Sequence, residues 1–153
     1  TSIDLSENII KTDISVNKFI TQIYNFAKDI HETLGYGYKE HIYVSALNIH
    51  LHENNILFNN EVIIPIIYRE MQLGYERADT IIYNPEYIIL EFKAQNNKLS
   101  NKEINQLRKY LKNYENGKIK QGILLNFNTN LEFIIVNENS YFNLHSSDIN
   151  AAL

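Results

Sequence analysis

The chain has 153 residues, no cysteine, and a formal charge of -4 from 14 Lys and Arg against 18 Asp and Glu. That length fits one domain, 1–153, able to bury its own core, while the lack of cysteine excludes disulfides and thiolate metal sites. The negative balance excludes a protein that coats nucleic acid through an overall positive field. No apolar run approaches a membrane span and no charged-then-apolar leader opens the sequence, which reads as soluble, intracellular and cytoplasmic. Heavy use of Ile, Asn, Tyr and Lys is what AT-rich coding gives, so a microbial or virus-encoded source is the compositional expectation.

Residues 1–14 have no period and read as a peripheral lead-in. Ser15 is the expected N-cap of a first helix, in which Val16, Phe19, Ile20, Ile23, Ala27, Ile30 and Leu34 form one apolar stripe. Gly35-Tyr36-Gly37 ends it, because glycine takes the positive φ of a helix stop. A second helix is predicted from Tyr38 or Lys39 to about Glu53, with Ile42, Ala46, Leu47 and Ile49 buried. Glu40 falls in its first turn, where a carboxylate suits the helix dipole, and Tyr43 shares its face.

Ile56 to Arg69 is strand-like, with Pro65 marking an edge or a bulge. Residues 71–76 lead into a strand carrying Asp79, and the Asn84-Pro85 break predicts a fold-back into a strand over 87–93. If that hairpin centres on Pro85, facing residues have numbers summing to 170, so Asp79 opposes Glu91 on one sheet face and Lys93 joins them by period-2 alternation. Like charges opposed in a sheet destabilise it, and a divalent cation would remove the conflict. On this hairpin alone, a solvated charge cluster is the simpler account.

After a polar loop, Ser100 and Glu103 make a capping-box pattern for a third helix, with Ile104, Leu107, Leu111 and Tyr114 as its core stripe and Gln106 and Tyr110 flanking it together. Between Lys93 and Lys120 only Glu103 and Glu115 offset the Lys and Arg side chains, giving a local basic zone. Residues 119–127 and 131–136 are two further strands, the first parallel to the Glu91 strand because the connection has crossover length. The tail from Asn137, residues 137–153, reads as polar, peripheral and poorly ordered. The element order ααβββαββ predicts an α/β or α+β layered domain. The five histidines have no i, i+4 pair of the kind a helical zinc site uses.

Four separated segments carry a resemblance. Gly37-Tyr38-Lys39-Glu40-His41-Ile42-Tyr43 fits GxxExxY, Arg77-Ala78-Asp79 and Glu91-Phe92-Lys93 fit an acid and an acid-x-Lys strand, and Gln106 to Tyr110 fits QxxxY. In that order, the chain resembles the GxxExxY proteins of the PD-(D/E)XK nuclease superfamily, departing from it at Ala78, where the name-giving proline would stand. The resemblance implies a restriction-endonuclease-like mixed central sheet flanked by helices and a Mg²⁺ or Mn²⁺ site at its end. It implies that Asp79, Glu91 and the Phe92 carbonyl bind metal with Glu40, that Lys93 serves the attacking water, and that Gln106 and Tyr110 hold the site and the strand. DNA is the implied partner, met by Lys98, Lys102, Lys109 and Tyr43. A catalytically silent nucleic-acid-binding or assembly module, and a subunit that needs a partner or a homodimer, stay open beside the nuclease.

Overall fold

A computed structural model describes residue 14 and residues 16–152. Its elements are α1 (Lys18–Leu34), α2 (Glu40–Glu53), β1 (Leu57–Tyr68), β2 (Met71–Asn84), β3 (Ile88–Lys93), α3 (Asn101–Asn113), β4 (Gly122–Phe127), β5 (Leu131–Val136), β6 (Tyr141–Asn143) and α4 (Ser146–Ala152). The six strands lie side by side in sequence order, β1-β2-β3-β4-β5-β6. All neighbours are antiparallel except β3 and β4, joined by the α3 crossover. This is a mixed sheet flanked by helices, consistent with a restriction-endonuclease-like fold.

Each face of the sheet has its own core. α1 and α2 cover one, burying Ile20, Ile23, Leu47 and Leu51 against Leu90, Phe92 and Ile123. α3 covers the other, burying Ile104, Leu107 and Leu111 against Ile81, Ile89 and Leu124. A Cβ placed on Gly122 would meet the Leu107 side chain at 2.9 Å, so glycine sets how closely α3 approaches β4.

Several local expectations are corrected. Ser15 and residues 1–13 lie outside the described residues; α1 is capped by Asn17, whose side chain accepts from Ile20 N at 2.9 Å, and Ile14 is buried in the first core. Val16 and Leu34 are exposed at the helix ends. In α2 the buried face is Tyr43, Leu47 and Leu51, while Ile42 and Ile49 face solvent. Tyr110 takes the core place expected of Tyr114 in α3. The tail is not loose: β6 extends the sheet beside β5, and the Tyr24 hydroxyl meets Ser146 Oγ at 2.9 Å, docking α4 against α1.

Two features of β1 and β2 shape the site. Pro65 sits where predicted, on an edge strand that pairs only with β2. Phe58 and Ile82 pack on the α1–α2 side, yet Val62, Ile64 and Ala78 pack toward α3. The alternation therefore reverses around Glu61, which holds φ 54, and opposite Glu61 stands Asp79.

Candidate active site

The β2–β3 ladder pairs Thr80 with Leu90, Ile81 with Ile89 and Ile82 with Ile88, the register the sequence predicts. Beyond Thr80 the backbone ladder stops, and two carboxylates take over its hydrogen bonds. Asp79 N donates to Glu91 Oε1 at 2.7 Å, and Phe92 N donates to Asp79 Oδ2 at 2.8 Å. From there outward β2 pairs with β1 alone. The acids thus stand where two strands part, each held by a backbone amide of the other strand.

This placement is electrostatically costly. Glu91 is only 7 % exposed. Burial first, and then the Asp79 charge, push its carboxyl up to about 8. Asp79 is also raised, by burial above all, against the Phe92 amide and the Lys93 charge, which pull it down. The charge of Glu40 adds to both rises. A buried and a half-buried carboxylate, both with raised proton affinity, favour compensation by a hard cation.

Alternation buries Ile88, Leu90 and Phe92 on one face and Ile89 on the other, so Glu91 and Lys93 face α3. There Glu91, Lys93, Lys102, Glu103 and Gln106 line a cavity of about 110 Å³. Gln106 Nε2 donates both to the Tyr110 hydroxyl, at 3.1 Å, and to Glu76 Oε2. Burial and then the Glu91 charge raise Tyr110 to about 12, which keeps its phenol protonated. The structure therefore brings Asp79, Glu91, Lys93, Gln106 and Tyr110 together.

Other expected residues lie elsewhere. Glu40 is exposed at the start of α2 and lines a separate cleft with Gly37, Tyr38 and Ala94. Its charge reaches the acid pair, but among the described residues no three His, Asp or Glu side chains are grouped to hold a metal ion. The donors that do fit one are the two acids and the Phe92 carbonyl: the Phe92 amide points to β2, and in an extended strand the carbonyl of a residue points to the same neighbour as its amide. One or two carboxylates completed by water suit Mg²⁺.

Tyr43 cannot meet nucleic acid where it stands. Its side chain is fully buried, stacked on Phe127 with centroids 4.3 Å apart. Its hydroxyl donates to Gly35 O at 2.8 Å and accepts from Tyr38 N at 3.3 Å. The Tyr of GxxExxY is a lock on the α1–α2 turn, where Gly35 and Gly37 hold φ 73 and 106, and it thereby places Glu40. Lys102 lines the acid cavity, Lys109 lies further along α3, and Lys98 borders a groove with Lys28 and Glu132 instead.

Two contributors were not anticipated. Glu76 fixes the Gln106 amide from thirty residues away, a long-range pairing with no local sequence signal. Asn126, fully buried beside Lys93, accepts from Gln95 N at 3.1 Å and donates to Glu132 Oε1 at 2.8 Å, clasping the loop that follows β3. A buried Asn at a strand end was the available clue. His50 is 3.2 Å from the Asp29 carboxylate and stacks on Phe26, a packing role.

Residues 17–136 match a family model described as the PD-(D/E)XK nuclease superfamily. Among solved structures, the crystal structure of SSO0001 is similar at 24% identity with a TM-score of 0.51, over 72% of this chain and 54% of that one. The chain thus spans about half the length of that relative, and the likeness is one of fold. No curated protein matches.

Proposed function

The chain belongs to the PD-(D/E)XK nuclease superfamily, and from that premise we propose that it hydrolyses DNA phosphodiester bonds with Mg²⁺ or Mn²⁺. The finer placement we propose is the GxxExxY branch, with the RecB-like Gln106 and Tyr110 pair. The observation that carries the proposal is the reciprocal Asp79–Glu91 bridge at the parting of β2 and β3, with Lys93 beside it. Each acid gives one oxygen to a backbone amide and keeps the other available.

Asp79, Glu91 and the Phe92 carbonyl would hold the ion, with Glu40 reaching it through water. A bound divalent ion supplies charge neutralisation at the phosphate and an acidified water. Lys93 would orient that water, and its charge lowers the proton affinity of both carboxyls, opposing part of the rise that burial causes. Gln106, held by Glu76 and Tyr110, lines the cavity with Glu91 and Lys93. Lys102 and Lys109 take up strand phosphates, contacts that orient without reading sequence.

The test is a panel of labelled DNA and RNA substrates with Mg²⁺ or Mn²⁺, run beside Lys93→Ala. Metal-dependent DNA cleavage that Lys93→Ala abolishes supports the proposal; no cleavage and no metal binding by the wild type refutes it. The lack of a three-carboxylate group among the described residues favours one second reading, a binding module without turnover. Salt-dependent DNA binding without cleavage in any metal is its signature. Sedimentation alone and with DNA separates a homodimer or a partner-dependent subunit.

A further inference from the structure

The C-terminal half of α3, the segment after it and the β5–β6 turn enclose a cleft of about 420 Å³, a volume in the range of small-ligand sites. Its floor is apolar, from the buried Leu111 and Ile119, and its rim carries Arg108, Lys109, Lys112 and Lys120. Glu138 is the one acid on the lining, and it is exposed. Ion pairs among the described residues join His50 to Asp29, Arg77 to Glu61 and Lys118 to Glu115, so none of the four rim cations is paired with a carboxylate of a described residue. Arg108 is preset, because its Nε donates to Asn137 O at 3.0 Å and leaves both terminal amines for another acceptor.

Helix-dipole preference accounts for Lys112 in the last turn of α3, but not for Arg108 a turn earlier or for Lys120 beyond the helix. Four like charges round one concavity repel each other until an anion arrives. The cleft lies where β4 begins, and Gly122 pairs with Ile89. From Ile89 to Glu91 is two residues, about 7 Å of strand, so the acid pair lies a short step beyond the cleft along β3. That is about two phosphate steps along one strand, at about 3.4 Å each.

We propose that this cleft binds phosphates of a nucleic-acid strand that runs along α3 from the acid pair, a proposal that takes its ligand class from the nuclease reading above. The substitutions Lys112→Glu and Lys120→Glu together reverse two exposed rim charges that hold no ion pair among the described residues. The probe is a fluorescein-labelled 20-nucleotide oligo(dT), followed by anisotropy in chelator across a salt series, so that binding is read without cleavage. The double variant is expected to bind at least tenfold more weakly, with a salt slope about 1.4 shallower for two lost contacts to a single strand.

Lys18→Glu with Lys28→Glu makes the same change of net charge across the sheet on α1. An equal loss in that control would mean only the overall field is felt, and it overturns the proposal, as does unchanged affinity and slope in the cleft variant. Displacement of the 20-mer by low-millimolar inorganic phosphate would also overturn it, in favour of a free-anion site. Failure of the nuclease reading registers separately, as a wild type that cleaves nothing in any metal while the cleft variant still loses binding.

Discussion

Glu91→Gln is expected to stabilise the metal-free protein, and to do so increasingly as pH rises. A carboxyl raised from 4.5 to about 8 binds its proton more tightly in the native than in the unfolded chain. Its contribution is therefore fully present below pH 4.5 and is lost as pH climbs through 8. At about 1.4 kcal/mol per pH unit the loss has an upper bound of about 5 kcal/mol. Sharing of the burden with Asp79 brings the expectation to about 2–3 kcal/mol. Gln cannot ionise, yet its Oε1 still accepts from Asp79 N, so the strand junction is kept. For a domain of this size, about 2–4 °C per kcal/mol gives a Tm gain of roughly 4–12 °C at pH 8.5 and little change near pH 4.5. The assay is thermal unfolding by circular dichroism in chelator at the two pH values. Saturating Mg²⁺ should stabilise the wild type by about 2.7 kcal/mol at 100 times Kd, read as a higher Tm, and leave the variant nearly unmoved. A gain of the same size at both pH values, or none at pH 8.5, would refute the reasoning.

Three further outcomes follow from named contacts. Lys93→Ala should cut turnover by about 10²–10⁴-fold while its far-ultraviolet circular dichroism and urea midpoint stay near wild type, because Lys93 acts on the water and not in the core. Glu76→Leu frees the Gln106 amide to rotate and should lower kcat about tenfold with KM within twofold; Glu76→Gln, which keeps an acceptor for Gln106, should recover most of it. Tyr43→Phe leaves the Gly35 carbonyl and the Tyr38 amide without their buried partner, and should cost about 1–3 kcal/mol in urea unfolding with DNA affinity unchanged.

What the sequence disclosed depends on how local the signal was. The Asn84-Pro85 break fixed a register that places Asp79 beside Glu91, because a hairpin with a short turn leaves little freedom in pairing. The capping box at Ser100 and Glu103 marked α3 to the residue, since both halves of the motif lie within one turn. α2 resisted reading because apolar side chains surround it: Ile42, Val44, Ala46 and Ile49 dilute the stripe, and only the sheet beneath decides that Tyr43, Leu47 and Leu51 go inward. Tyr43 illustrates the same limit: the resemblance set it against DNA, whereas the fold buries it and its hydroxyl donates to Gly35 O. β6 is three residues long and exists because the edge of β5 offers it a ladder, which no window on 137–153 reveals. Glu76 became part of the site only through the fold-over of α3.

The acids hold the junction as well as the chemistry, and this decides which variants can test either. Removing the Asp79 carboxylate strips the Phe92 amide of its acceptor at a nearly buried position, since Phe92 is 1 % exposed. An unsatisfied buried amide costs about 1–3 kcal/mol, so lost activity in Asp79→Ala mixes a missing ligand with a loosened strand. Asp79→Asn separates them, because its Oδ1 can accept from Phe92 N while an amide is a poor partner for a hard cation. The expected pattern is a urea midpoint at or above wild type in chelator, no stabilisation by Mg²⁺, and cleavage reduced at least 10²-fold. An Asp79→Asn protein as unstable as Asp79→Ala would mean that the charge, and not the acceptor, holds β2 to β3. Wild-type cleavage by Asp79→Asn would remove Asp79 from the chemistry and leave it a purely structural clasp.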